Sequence, residues 1–215
     1  MSLKKDKAAV AAQIAREKVV AVIRLSDSNK LVPVISAIAE GGIRCIEVTM
    51  TVPNAIELIR TVSKQVAGDI LIGAGTVLDA ETAHAVIEAG AQFVVSPILN
   101  PEVITACKQH DVYCAPGCFT PTEIHTAYKL GADVIKVFPA TSLGPKYFKD
   151  IKGPFPNIPL MPTGGVSIEN AHEWIAAGAV AVGIGSDLLD KKAIDEGRFE
   201  VLTEKARQLS LNVQL

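Results

Sequence analysis

The chain has 215 residues, 49% of them apolar and 20% charged, and its 21 Lys+Arg against 23 Asp+Glu leave a net charge of −2. These values describe one globular domain able to bury roughly 70% of its unfolded surface, and they exclude a disordered chain or the basic footprint of a nucleic-acid binder. Uncharged stretches such as Ala89–Pro101 and Trp174–Ser186 fall short of the ~20 apolar residues a membrane helix needs, so no membrane partner is expected.

Residues 1–18, MSLKKDKAAVAAQIAREK, scatter charges through a helical pattern. They predict an N-terminal helix rather than a secretory signal, and hence a cytoplasmic protein. Over residues 19–215, eight short apolar runs alternate with longer amphipathic stretches. The runs are 19–23, 45–50, 70–72, 93–95, 112–115, 134–138, 158–161 and 180–184, each bounded by Gly, Pro, Asn or Asp. Helical patterns lie between them at 31–39, 54–66, 81–89 and 121–130, and a last helix is expected after Gly197.

A weak internal repeat supports this count. The phrases AEGGIRCIEV, IEAGAQFVVS, YKLGADVIKV and IAAGAVAVGI share an order of helix end, glycine, turn and strand, and Gly42, Gly90, Gly131 and Gly178 recur at intervals of 41 to 48 residues. Each glycine suits the left-handed position after a helix. Eight βα units with continuous apolar strands predict an α/β protein, a single-domain TIM (β/α)8 barrel with the extra helix at its N-terminus. An open doubly wound sheet is the alternative. The turns Gly73-Ala74-Gly75 and Gly183-Ile184-Gly185, however, lack the third glycine of a dinucleotide loop.

Cys45, Cys107, Cys114 and Cys118 read as buried free thiols, because the CxxxC spacing of the last two has no second pair to complete a zinc site. His84, His110, His125 and His172 form no HxH or HExxH, so no metal is expected.

In a barrel the active site gathers at the C-terminal ends of the strands, and several polar residues stand where burial makes them costly. Lys136 interrupts VIKVF, sharing a face with Val134 and Phe138. A lysine held in a dry place loses its proton more readily and can attack a ketone; the bland reading is a buried stem with a snorkelling head. Glu47 in CIEVTM shares a face with Cys45 and Thr49, and a buried carboxyl suits proton transfer or a structural ion pair, with Lys136 across the interior as one partner.

Gly164 and Gly165 in PTGGV, with Ser186 in GIGS, occupy the last two loops, where backbone N–H groups and a hydroxyl can hold a phosphate. Arg24 ends the first strand and could fork a carboxylate. Thr76 ends the third and could instead cap the next helix, and Pro97 follows the fourth. Lys146, Lys149 and Lys152 read as a solvated face.

The stretches EVTMTVP (47–53), IGAGTV (72–77), VSP (95–97), PGCFTPTE (116–123), IKVFPA (135–140), GPFPN (153–157), PTGGV (162–166) and GIGS (183–186) resemble, in order and spacing, the 2-keto-3-deoxy-6-phosphogluconate / 4-hydroxy-2-oxoglutarate aldolase family. The resemblance implies a class I aldolase in which Lys136 forms a Schiff base and Glu47 is the general acid/base. It implies that Thr76, Pro97 and Phe138 shape the pyruvate half of the site, and that Gly164, Gly165 and Ser186 hold the phosphate. Thr163 matches a position where threonine accompanies the gluconate epimer of the substrate and an apolar residue the galactonate epimer. The resemblance further implies a homotrimer without a metal or dissociable cofactor, taking a small keto-acid phosphate. Many members carry arginine where this chain has Thr51, and Arg24 is the expected replacement as carboxylate anchor. The alternatives are the galactonate epimer or 4-hydroxy-2-oxoglutarate as substrate, a sugar-phosphate isomerase without a Schiff base, and a silent phosphometabolite binder.

Overall fold

The computed structural model describes residues 5–66 and 69–215. The chain opens with α1 (Lys7–Glu17), β1 (Val19–Ile23), α2 (Leu31–Glu40), β2 (Cys45–Thr49), α3 (Ala55–Gln65), β3 (Leu71–Gly75), α4 (Ala80–Glu88), β4 (Phe93–Val95) and α5 (Pro101–Gln109). It continues with β5 (Tyr113–Ala115), β6 (Gly117–Cys118), α6 (Pro121–Leu130), β7 (Ile135–Val137), α7 (Gly144–Lys152), β8 (Leu160–Pro162), α8 (Ala171–Ala176), β9 (Val182–Ile184), α9 (Lys191–Glu196) and α10 (Glu200–Asn212).

All eight apolar runs contain strand, every strand residue is buried, and every pairing is parallel. Both faces are therefore covered, as crossover helices require. One sheet runs β5-β4-β3-β2-β1-β9 and a second β6-β7-β8. The fifth run gives β5, and a further short strand, β6, follows it beyond Pro116, which has no N–H to continue the ladder. Its carbonyl still accepts from Lys136 N–H at 2.9 Å. Between β8 and β9 the contact is a single bridge, Thr163 to Gly183, with Val180 N–H bonded to Leu160 O at 3.0 Å.

Helix starts follow their capping residues. Asp6, Asp79, Asn100, Thr120 and Asp190 each accept from a first-turn N–H, and Thr120 with Glu123 forms a complete capping box. The four repeat glycines all take the left-handed conformation, with φ between +93° and +107°.

The buried side chains divide into two clusters. The larger lies between strands and helices and includes Ile46, Ile72, Val94 and Ile135. The smaller gathers Val20, Cys45, Leu71, Phe93, Tyr113, Val134, Met161 and Ala181 on the opposite strand face, with Val10 and Ile14 of α1 packed against them. Alternation along the strands separates the two sets. Gln13 of α1 is 3% exposed and donates to Asp69 O at 2.7 Å, and Glu17 accepts from Arg44 N–H and from Cys45 Sγ. The helix is thus bonded as well as packed against one end of the strands.

Candidate active site

Two residues beyond the smaller cluster on the same strand faces, the apolar lining gives way to charge. Lys136 stands one alternation above Val134 and is 2% exposed. Its Nζ lies 5.1 Å from the centroid of the Phe138 ring, within cation–π range. Burial pulls the ammonium below the ordinary lysine value of 10.5. The Glu47 charge opposes that shift and the Arg24 charge adds to it.

Glu47 stands one alternation above Cys45, beside Val22 of β1 and Gly73 of β3, and is 1% exposed. Neither carboxylate oxygen has a hydrogen-bond partner, Lys136 included. Burial lifts this carboxyl above 4.5, while Lys136 and Arg24 pull the other way. Burial therefore favours the uncharged form of each: an amine with a lone pair and a carboxyl with a proton to exchange. The carboxyl fits because Gly75 carries no side chain; a Cβ there would overlap the Glu47 carboxylate.

A cleft of about 830 Å3 is lined by Arg24, Thr51, Phe138, Thr163, Gly164 and Ser186, among others; Lys136 and Glu47 are not in its lining but adjoin it through Phe138 and Val22. Thr163 Oγ1 is buried without a partner, and a Cβ on Gly183 would collide with it. Gly164 and Gly165 have φ of +87° and +74°, which residues with a Cβ rarely adopt, so the turn can present its peptide N–H groups outward.

Of the residues expected from sequence, Arg24, Phe138, Thr163, Gly164 and Ser186 share the cleft, and Gly165 continues its turn. Thr76 and Pro97 stand at half-buried strand ends outside the lining. Thr76 does not cap the next helix, since Asp79 does so. It holds φ +59°, a strained conformation for a β-branched residue. Lys146 and Lys149 are solvated as expected, whereas Lys152 donates to the carbonyls of Pro156 and Ile158. All four cysteines are free and buried. Among the described residues no group of three or more His, Cys, Asp or Glu is arranged to hold a metal ion.

Two features escaped sequence reasoning. Asp187 Oδ2 accepts from Ile168 N–H at 2.7 Å while Lys205 Nζ donates to the Asp187 carbonyl at 2.9 Å, joining the two glycine turns to α10. The signal available was an acid directly after Ser186. The second is a hydroxyl chain from Ile23 O through Thr49 to Thr51, for which alternating threonines are a weak cue.

Fold and site together define a parallel α/β enzyme built around a buried lysine and a buried carboxyl. The chain belongs to the family described as KDPG and KHG aldolase, whose pattern it matches over residues 10–204; its relatives are aldolases, and it is a lyase. It is 38% identical over 194 residues to the 2-dehydro-3-deoxy-phosphogluconate aldolase of Treponema pallidum, covering 90% of this chain and 92% of that one. It is 34% identical to the 2-dehydro-3-deoxy-6-phosphogalactonate aldolase of Escherichia coli, over 79% of this chain and 83% of that one. The crystal structure of KDPG aldolase from Legionella pneumophila, with pyruvate captured as a covalent carbinolamine intermediate, superposes with a TM-score of 0.86 at 31% identity. That match covers 93% of this chain and 97% of the other.

Proposed function

We propose that this chain is a class I aldolase that cleaves 2-keto-3-deoxy-6-phosphogluconate to pyruvate and glyceraldehyde 3-phosphate. The observation that carries the reading is the pairing of two buried charged side chains next to the cleft lining: Lys136 beside Phe138, its pKa lowered by burial, and Glu47 beside Val22, its pKa raised. The Lys136 amine adds to the 2-keto carbon and water leaves, giving a cationic imine. That imine accepts the C3–C4 bonding pair as Glu47 takes the C4 hydroxyl proton, and glyceraldehyde 3-phosphate departs. The enamine is protonated at C3, water hydrolyses the imine, and pyruvate and free Lys136 return. The lysine supplies the electron sink, so the mechanism calls for no metal or dissociable cofactor.

Arg24, the cleft cation whose charge reaches both reacting groups, takes the substrate carboxylate. The turn at Gly164 and Gly165 with Ser186 takes the phosphate, and Phe138, Thr76 and Pro97 border the pyruvate half. Thr163, whose hydroxyl is buried without a partner, is the residue type that the family resemblance associates with the gluconate epimer rather than the galactonate epimer. 4-Hydroxy-2-oxoglutarate, which lacks a phosphate, is the second substrate to assay.

Borohydride reduction in the presence of pyruvate, followed by peptide mass spectrometry, tests the reading. A pyruvyl adduct on Lys136 is expected, together with loss of cleavage in Lys136→Met. Turnover retained in that variant, or bound pyruvate without an adduct, moves the assignment to a sugar-phosphate isomerase.

The architecture belongs to the same proposal: the two sheets are arcs of one (β/α)8 barrel over residues 19–215, its N-terminal mouth covered by the helix within residues 1–18. The inner cluster drawn from β1–β5 and β8 and from the approaches to β7 and β9 supports closure, as do the bonds at Pro116 and Thr163. We further propose a homotrimer. Leu78, Ile98 and Phe119 are exposed apolar residues following β3, β4 and β6, and Asn100–Leu78 and Gly117–Ile98 hydrogen bonds hold their loops side by side. Four free thiols fit a reducing cytoplasm. No helix among the described residues is long and apolar enough to cross a membrane.

A further inference from the structure

The hydroxyls at the end of β2 have a proton direction that can be counted. Thr49 is fully buried, and its Oγ1 lies 3.2 Å from the carbonyl oxygen of Ile23 and 2.6 Å from Thr51 Oγ1. A carbonyl can only accept; with the Thr49 proton donated to Ile23, the 2.6 Å contact is made by the Thr51 proton. The reverse order would set two acceptor oxygens against each other in a dry place, leaving a buried carbonyl contact without its proton. Thr51, exposed in the cleft, therefore presents lone pairs only. Such an oxygen repels a carboxylate and attracts a donor.

Arg24 is a side chain with donors and no acceptor, standing at the end of the strand that pairs with β2. It follows Ile23, the residue that anchors the hydroxyl chain, and it is exposed in the same cleft. Other cations there are committed elsewhere: Lys30 donates to the carbonyls of Ile194 and Asp195, and Lys205 to that of Asp187. Lys191 belongs to the start of α9 and not to a strand end beside β2.

We propose that Thr51 is a positioning residue for Arg24, its acceptor-only oxygen taking one guanidinium N–H and holding the fork over Lys136 and Glu47, where the remaining N–H groups grip the substrate carboxylate. The inference rests on Arg24 being the carboxylate anchor. A threonine here does not itself replace an anchoring cation; it steers one supplied by the neighbouring strand.

Kinetics of pyruvate condensation with glyceraldehyde 3-phosphate test this in wild type, Thr51→Val, Thr51→Ser, Arg24→Ala and the Thr51→Val/Arg24→Ala double variant. Thr51→Val should raise the KM for pyruvate about fivefold, the size of one hydrogen bond near solvent. The effect should fall on KM for pyruvate and not on KM for the aldehyde, and Thr51→Ser should restore the wild-type value. Arg24→Ala should raise pyruvate KM further, and adding Thr51→Val to it should change nothing more. An unchanged KM in Thr51→Val, or an equal additional loss in the Arg24→Ala background, overturns the positioning role and leaves Arg24 as anchor. An unchanged pyruvate KM in Arg24→Ala overturns both.

Discussion

At the scale of single residues, Glu47 and Lys136 hold each other's titration in check. Burial pushes both towards neutrality, and each charge draws the other back. A carboxyl whose pKa is raised on folding binds protons more tightly when folded. Its contribution to stability therefore declines as pH rises above the ordinary 4.5 and levels off once the folded group has ionised. Glu47→Gln should flatten that decline in the unfolding midpoint. Lys136→Met removes the larger opposing attraction, leaves only Arg24 against burial and should extend the decline to higher pH. Thermal unfolding across pH 4 to 8 checks both; parallel curves for all three proteins would mean the two groups do not feel each other.

Both residues were legible in the sequence because a charge inside a β-branched run is conspicuous. Thr76 was legible only in part: its strand-end position could be read, but not its left-handed backbone. The turn, not the residue type, imposes that conformation, and Asp79 caps the following helix instead.

Among the elements, the two glycine turns are held by side chains lying further along the chain. Asp187 secures the Ile168 N–H, Asn170 Nδ2 donates to Gly165 O at 2.9 Å, and Lys205 reaches back from α10 to the Asp187 carbonyl. Asp187→Ala should loosen the turn without touching the chemistry. The expected result is a rise of about fivefold in KM for the phosphorylated substrate, the worth of one hydrogen bond, with KM for 4-hydroxy-2-oxoglutarate unchanged. Parallel losses on both substrates would make Asp187 a general structural residue. The glycine pairs could be read from the sequence as turns, but their ties could not. A hydrogen bond between residues 19 apart, such as Asp187 to Ile168, leaves no periodic trace.

For the molecule as a whole, the exposed apolar residues Leu78, Ile98 and Phe119 follow three different strands and are brought together by the loops. Ile98→Lys with Phe119→Lys should convert the proposed trimer to monomers in sedimentation experiments. A monomeric wild type, or a double variant that remains assembled, removes this surface as the contact. No sequence window contains that patch, because Leu78 and Phe119 belong to different βα units.

The sequence by itself determined the alternation of strand and helix, the left-handed glycines that end helices and the two charged groups set in apolar strands. Each of these is local, encoded by side-chain period or by the conformational freedom of one residue. Tertiary structure decided what those residues meet. It put the Glu47 carboxyl in the space left by Gly75 and tied α1 to the strands through Gln13 and Glu17. It also linked Thr51, through Thr49, to a carbonyl on the neighbouring strand. Such outcomes depend on pairing register and packing between distant segments, which only the folded chain brings within bonding distance.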